Sequence, residues 1–122
     1  MYVAVGLPMV RRSYILIIDD DEGMRETVGD YLRLSHDDVR TACDGAEALA
    51  LLATGDPPAC VIADVLVPGV LGTSIADYMR ASPRLRDVPV AFMTGSPELA
   101  PEGYPVFTKP LHLRDLRAFV DA

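Results

Sequence analysis

Four consecutive aliphatic residues, Ile15-Leu16-Ile17-Ile18, follow Tyr14 and run directly into Asp19-Asp20. An exposed helix or a half-exposed strand would interleave polar residues. A continuous apolar run of this length fits a strand covered on both faces, the habit of parallel sheets flanked by helices. The strand then delivers Asp19 and Asp20 to its carboxyl end, the edge where ligands bind in open α/β folds. Adjacent carboxylates repel, so one keeps its proton unless a cation compensates. Hard divalent ions such as Mg²⁺, with Mn²⁺ as a second choice, suit a site of few carboxylates and several retained waters.

The remaining composition narrows the class. A chain of 122 residues, half of them hydrophobic, is one domain with a core that needs no staples. Cys43 and Cys60 are too few for a disulfide framework. They are expected at opposite ends of neighbouring strands, as reduced thiols in a cytoplasmic protein. Zinc is excluded by the lack of CxxC or paired histidines, and the lone His36 and His112 read as exposed or capping residues. A net charge of −7 argues against direct nucleic-acid binding. No stretch is long enough to span a bilayer, so no membrane partner is expected. Met1 to Val10 is apolar but short, and Arg11-Arg12 follow it, the wrong order for a secretory signal. Residues 1–12 therefore read as an extension of a domain at 13–122, or as part of an upstream segment.

Beyond the first strand, Gly23 to Leu34 carries Met24, Val28, Tyr31 and Leu32 at helical spacing, with acids early and Arg33 late. Asp38 to Cys43 is a short strand. Ala46 to Ala53 is a helix, stopped by Thr54-Gly55-Asp56-Pro57-Pro58. Ala59 to Ala63 is a second buried strand ending in Asp64. Gly72 opens a helix that closes near Ser82-Pro83. Val88 to Met93 is a strand ending in Thr94-Gly95, Val106 to Thr108 is a strand ending in Lys109-Pro110, and Leu111 to Val120 is a final helix. This alternation predicts an α/β, doubly wound parallel sheet of five strands in the flavodoxin-like order 2-1-3-4-5. Pro97, Pro101 and Pro105 allow at most one helical turn in the fourth crossover, with Ser96 as its N-cap.

In that order the strand ends converge. Asp19, Asp20, Asp64, Thr94 and Lys109 meet at one sheet edge. An aspartate can attack phosphorus to form an acyl phosphate. The transferred group needs its equatorial charge neutralised, here by a metal, by Lys109, and by Thr94 with the Gly95 backbone N–H. A side chain at Gly95 would crowd that group.

From about Ser13 onward the chain resembles the receiver domain of bacterial two-component response regulators. The matching residues are Ile15 to Asp20, Asp64 with Pro68 and Gly72, Thr94-Gly95, and Lys109-Pro110. The resemblance implies that Asp64 is the phosphoacceptor. It implies direct Mg²⁺ ligation by Asp20, Asp64 and the Leu66 backbone carbonyl, with Asp19 acting mainly through water and Thr94 and Lys109 sensing the phosphoryl group. The donor would be a sensor histidine kinase or a histidine phosphotransfer protein. The chain would be a stand-alone receiver or one cut from a longer protein such as a hybrid kinase, and a homodimer is compatible with either. Val67 and Leu71 stand where the family often has methionine and aspartate. Val106 replaces the usual aromatic three positions before the lysine, which implies an altered readout. An alternative reading is a Mg²⁺-dependent phosphatase with an aspartyl-phosphate intermediate, using Asp19 and Asp21 as an Asp-x-Asp pair; a third is a receiver-like domain that only binds.

Overall fold

The structure is a computed structural model that describes residues 13–122, so the extension expected at 1–12 lies outside the described residues. The elements are β1 (Ile15–Ile18), α1 (Glu22–Arg33), β2 (Val39–Ala42), α2 (Gly45–Ala53), β3 (Cys60–Asp64), α3 (Gly72–Ala81), β4 (Val90–Thr94), β5 (Val106–Thr108) and α4 (Leu113–Asp121). All strand pairs are parallel, in the order β2-β1-β3-β4-β5. The expected topology is the observed one, with boundaries moved by one or two residues.

The continuous apolar run of β1 serves both faces of the sheet. Leu16 and Ile18 join Val61, Ala63 and Phe92 against Ala48 and Leu52 of α2 and Ile75, Ala76 and Met79 of α3. Ile15 and Ile17 join Ile62 and Met93 against Val28 and Leu32 of α1 and Leu116 of α4. Side chains alternate across a strand, so only an all-apolar segment can satisfy two cores at once. Each fully buried side chain such as Leu16, Ile62 or Phe92 contributes about 1.5–3 kcal/mol.

Helix starts follow the expected chemistry. Asp21 caps α1 by accepting the Met24 N–H at 3.0 Å, and Asp44 caps α2 by accepting the Glu47 N–H at 2.8 Å. The fourth crossover is a single 3-10 turn, Pro97–Leu99, with proline at its first position. Ser96 does not cap it through its side chain. Its backbone N–H instead donates to Thr94 Oγ1 at 2.9 Å, because the chain turns sharply out of β4 before the turn begins. Tyr104 is half-buried. Its ring meets Phe92 edge-on at 5.3 Å, and its hydroxyl accepts from Arg80 Nη2 at 2.6 Å. It covers apolar surface near β4 that a full crossover helix would otherwise shield.

Two other expectations are revised. Cys43 follows the carboxyl end of β2 and Cys60 opens β3, opposite ends as expected, but of strands separated by β1; both are free thiols. Burial pushes the Cys60 thiol up to about 11, so it is an inert core group. His36 is half-buried, with Nε2 2.8 Å from Asp121 Oδ1, whereas His112 is exposed at the N-cap position of α4, as expected, though without a side-chain capping bond.

Gly72 is required by close approach. A Cβ built there would stand 2.2 Å from the Asp64 carbonyl oxygen and 3.2 Å from Val65 Cα, both backbone atoms that cannot swing aside. Its N–H bonds the Val65 carbonyl at 3.0 Å, docking the first turn of α3 directly onto the end of β3. Gly72→Ala is expected to cost about 1–3 kcal/mol, read as a lower urea midpoint at unchanged slope. An unaltered midpoint would show that the helix start can shift freely.

Candidate functional site

β1, β3, β4 and β5 all present their carboxyl ends at one edge, and the loops after β1 and β3 form its floor. Asp19 directly follows β1, and Asp64 is the last residue of β3. Asp19 has no solvent-exposed surface, and Asp64 is almost fully buried. Lys109 Nζ bridges them, donating to Asp19 Oδ2 at 2.9 Å and to Asp64 Oδ2 at 2.8 Å. The remaining oxygens are held by backbone: Asp19 Oδ1 accepts the Asp21 N–H at 2.9 Å, and Asp64 Oδ1 accepts the Leu66 N–H at 3.1 Å.

Asp20 is different. It is exposed and makes no hydrogen bond or ion pair among the described residues. One carboxylate oxygen from each of Asp19, Asp20 and Asp64 falls within 4.8 Å of the others. Three hard oxygen donors converging at the rim of a sheet, one of them without a protein partner, fit a Mg²⁺-sized ion that keeps several waters.

The electrostatics of the pair are uneven. Burial raises the Asp19 carboxyl above its ordinary value, and this outweighs the lowering by the Asp21 N–H and Lys109. Lys109 is also raised: its two carboxylate partners outweigh the desolvation that opposes its charge. One ammonium is thus shared by two acids, and Asp19 remains costly to ionise.

Thr94 is buried at the end of β4, and its carbonyl accepts the Lys109 N–H at 2.8 Å. That bond fastens the two strand ends side by side. Its hydroxyl oxygen accepts the Ser96 N–H, so the side chain is braced by its own loop and touches neither Asp64 nor Lys109 through a hydrogen bond. Gly95 is exposed with open space around a built Cβ, which leaves its vicinity free for a ligand. The peptide between Lys109 and Pro110 is cis. Leu66 projects outward, half-exposed, next to Asp64.

Sequence patterns brought all five side chains to the right edge. They did not single out Arg25, whose Nη1 donates to the Asp19 carbonyl at 2.8 Å. The available signal was a lone arginine on the first turn and a half of α1, amid Glu22 and Glu26. Asp21, offered as half of an Asp-x-Asp phosphatase pair, has its carboxylate committed to the α1 N-terminus, and nothing favours that alternative.

Residues 15–121 match the family model described as the response regulator receiver domain. The chain belongs to that family. As a receiver domain it is similar to the DNA-binding dual master transcriptional regulator RpaA of Synechocystis sp., at 30% identity over 88% of this chain and 47% of that protein. It is 38% identical to the transcriptional regulatory protein PrrA of Mycobacterium tuberculosis over 66% of this chain and 33% of PrrA. The chain thus spans between a third and a half of these two relatives. Among solved structures, the chemotaxis response regulator CheY4 of Vibrio cholerae superimposes with a TM-score of 0.80 at 26% identity, covering 91% of this chain and 98% of CheY4. The signal receiver domain of a histidine kinase from Syntrophus aciditrophicus gives 0.75 at 25% identity, covering 89% and 87%. Receiver domains act in two-component signalling with histidine kinases or phosphotransfer proteins. No helix among the described residues is long and apolar enough to cross a membrane.

Proposed function

We propose that the domain accepts a phosphoryl group on Asp64 from a phosphohistidine of a sensor kinase or phosphotransfer protein, and holds it as a signal in a cytoplasmic phosphorelay. The observation that carries this is the Lys109 ammonium shared between Asp19 and Asp64, with Asp20, unpartnered among the described residues, beside them. A carboxylate oxygen of Asp64 forms the new bond to phosphorus while the bond to the donor imidazole nitrogen breaks, and the imidazole leaves neutral or takes a proton from solvent. Asp20, Asp64 and the Leu66 carbonyl would hold Mg²⁺, with Asp19 acting through water. The ion would neutralise charge on the transferring group.

The chain's own residues do the rest. Lys109 holds Asp64 in place through its bond to Oδ2, then follows the charge as it moves onto the phosphoryl oxygens. The Gly95 N–H and the Thr94 hydroxyl supply donors at the strand end. Moving Thr94 inward requires breaking its bond to the Ser96 N–H, which would loosen the proline-rich segment behind it. That segment shortens the fourth crossover, and the exposed Val106 stands in place of the family's usual aromatic, so the readout would run through the β4–β5 connection. Incubation with acetyl phosphate and Mg²⁺ tests the proposal: one phosphate per chain is expected, and none when the metal is chelated beforehand. Absence of incorporation in the folded protein refutes it.

The lifetime of that phosphate is a separate expectation. Leu66 beside Asp64 is apolar and cannot orient an attacking water. Leu66→Asn should speed loss of the acyl phosphate about 3–10-fold by positioning a water. Equal decay rates by mass spectrometry count against a role for this side chain.

A further inference from the structure

Asp19 lies where the β1–β2 ladder stops. In that ladder Ile15 and Ile17 direct their backbone groups toward β2, and Asp19 follows the same parity. Its N–H donates to the Ala42 carbonyl at 3.1 Å, the last bond of the series. A continued ladder would bring the Asp44 N–H to the Asp19 carbonyl. Asp44 has instead left the sheet to cap α2, and no backbone N–H among the described residues reaches that carbonyl. Arg25 fills the gap from the second turn of α1, half-buried, with Nη1 at 2.8 Å.

The peptide that Arg25 grips is the one joining Asp19 to Asp20. A peptide group is planar, so fixing its carbonyl fixes the direction in which the next Cα leaves. The peptide on the far side of Asp20 is held by the Asp21 N–H donating to Asp19 Oδ1, but the Asp20 side chain is exposed and without a partner among the described residues. Asp19 and Asp64, by contrast, are each held by two hydrogen bonds to their carboxylates. We propose that Arg25 is a positioning residue for the divalent-cation site, holding the Asp19–Asp20 peptide so that the Asp20 carboxylate is aimed at the ion before it binds. The inference rests on the metal site proposed above and adds to it the device that sets its affinity.

Position and charge make opposite predictions. A cation near an acidic site repels Mg²⁺, so a purely electrostatic Arg25 would weaken binding and its removal would tighten it. A positioning Arg25 does the reverse. The experiment is a titration of the intact protein with MgCl₂, followed through the backbone amide chemical shifts of Asp19 to Asp21 and Asp64, alongside urea denaturation. Wild type comes first: if no Mg²⁺-dependent shift occurs, the metal site itself fails, independently of Arg25. If it does occur, Arg25→Met is expected to raise the dissociation constant about tenfold. Arg25→Lys, which keeps charge but not the planar reach, should raise it about threefold. The effect should vanish in an Asp20→Asn background, since Arg25 acts through that side chain. Equal or tighter binding in Arg25→Met overturns the proposal. So does an undiminished effect in the Asp20→Asn background. Should Arg25→Met not fold, Arg25→Lys alone decides, because charge alone predicts no change for it.

Discussion

Asp64→Asn is expected to abolish phosphate incorporation from acetyl phosphate while leaving the protein folded. The amide carries no nucleophilic oxygen charge, so a loss of more than ~10²-fold is the minimum anticipated. The substitution is nearly isosteric, and it keeps an oxygen able to accept the Leu66 N–H. It also removes one of two carboxylates sharing a single ammonium, which relieves repulsion with Asp19. Stability should therefore change by about 1 kcal/mol or less, measured by urea denaturation. The combination is diagnostic: a folded protein without label assigns the chemistry to Asp64, whereas label surviving in the variant moves the acceptor elsewhere. Mg²⁺ affinity should also fall in this variant, as one ligand charge is lost.

Lys109→Met has the second large expected effect, and it is felt by stability as well as by chemistry. The ammonium is the one described cation in direct contact with both buried acids. Without it the transferring phosphoryl loses a neutralising partner, and the rate of phosphorylation at saturating Mg²⁺ should fall about 10²-fold. Mg²⁺ should bind more tightly, since a competing positive charge has gone. In metal-free solution at neutral pH the variant should be less stable by about 1–3 kcal/mol. That is below the full cost of orphaning a buried charge, because the site opens to water on one side.

The pH dependence of that loss has a definite sign. Asp19 is raised in the folded state, chiefly by burial, and removing Lys109 takes away one of the interactions that restrain it. A folded-state value above the unfolded one means a stabilising contribution fully present below the ordinary aspartate range and lost as pH rises through the raised value. The Lys109→Met protein should thus approach wild type on acidification toward that range and diverge from it again toward neutrality. Wild type holds the same trend in weaker form. At alkaline pH the sign for Lys109 is that of a raised base: its contribution is present below the unfolded lysine value and lost as pH climbs through the raised one. Unfolding midpoints from pH 4 to 8, with and without Lys109, measure the first effect; a pH-independent difference would show that Asp19 is not the orphaned group.

Much of this architecture was legible from residue patterns. Ile15 to Ile18 fit a strand covered on both sides, and β3, β4 and β5 each showed an apolar stretch with a polar residue at its carboxyl end, while β2 carried only Val39 and Thr41 as its signal. Once the strand order follows from alternation, the meeting of Asp19, Asp20, Asp64, Thr94 and Lys109 at one edge is a consequence of parallel topology, not of any local signal. Prolines 97, 101 and 105 foretold the shortened crossover because each forbids or constrains helix backbone in a known way. Ser96 stands at the expected N-cap position but makes no capping bond through its side chain, because capping preference is a property of residue type while its geometry is set by how β4 ends. Tyr104 was unplaced because nothing in its neighbours states that the missing helix leaves Phe92 to be covered.

The run into Asp19-Asp20 carries the same division. Its residue types alone place two acids at the edge of a buried strand, since strand burial and parallel order depend on patterns spread along the chain. Which acid is buried and which is exposed, and which one Lys109 neutralises, depend on contacts 45 and 90 residues apart along the chain. Such contacts leave no periodic trace, because a single hydrogen bond between distant residues constrains directions in space and not the spacing of residue types. The fold therefore separates two chemically identical neighbours: Asp19 becomes the buried partner of Lys109, and Asp20 stands open toward the site.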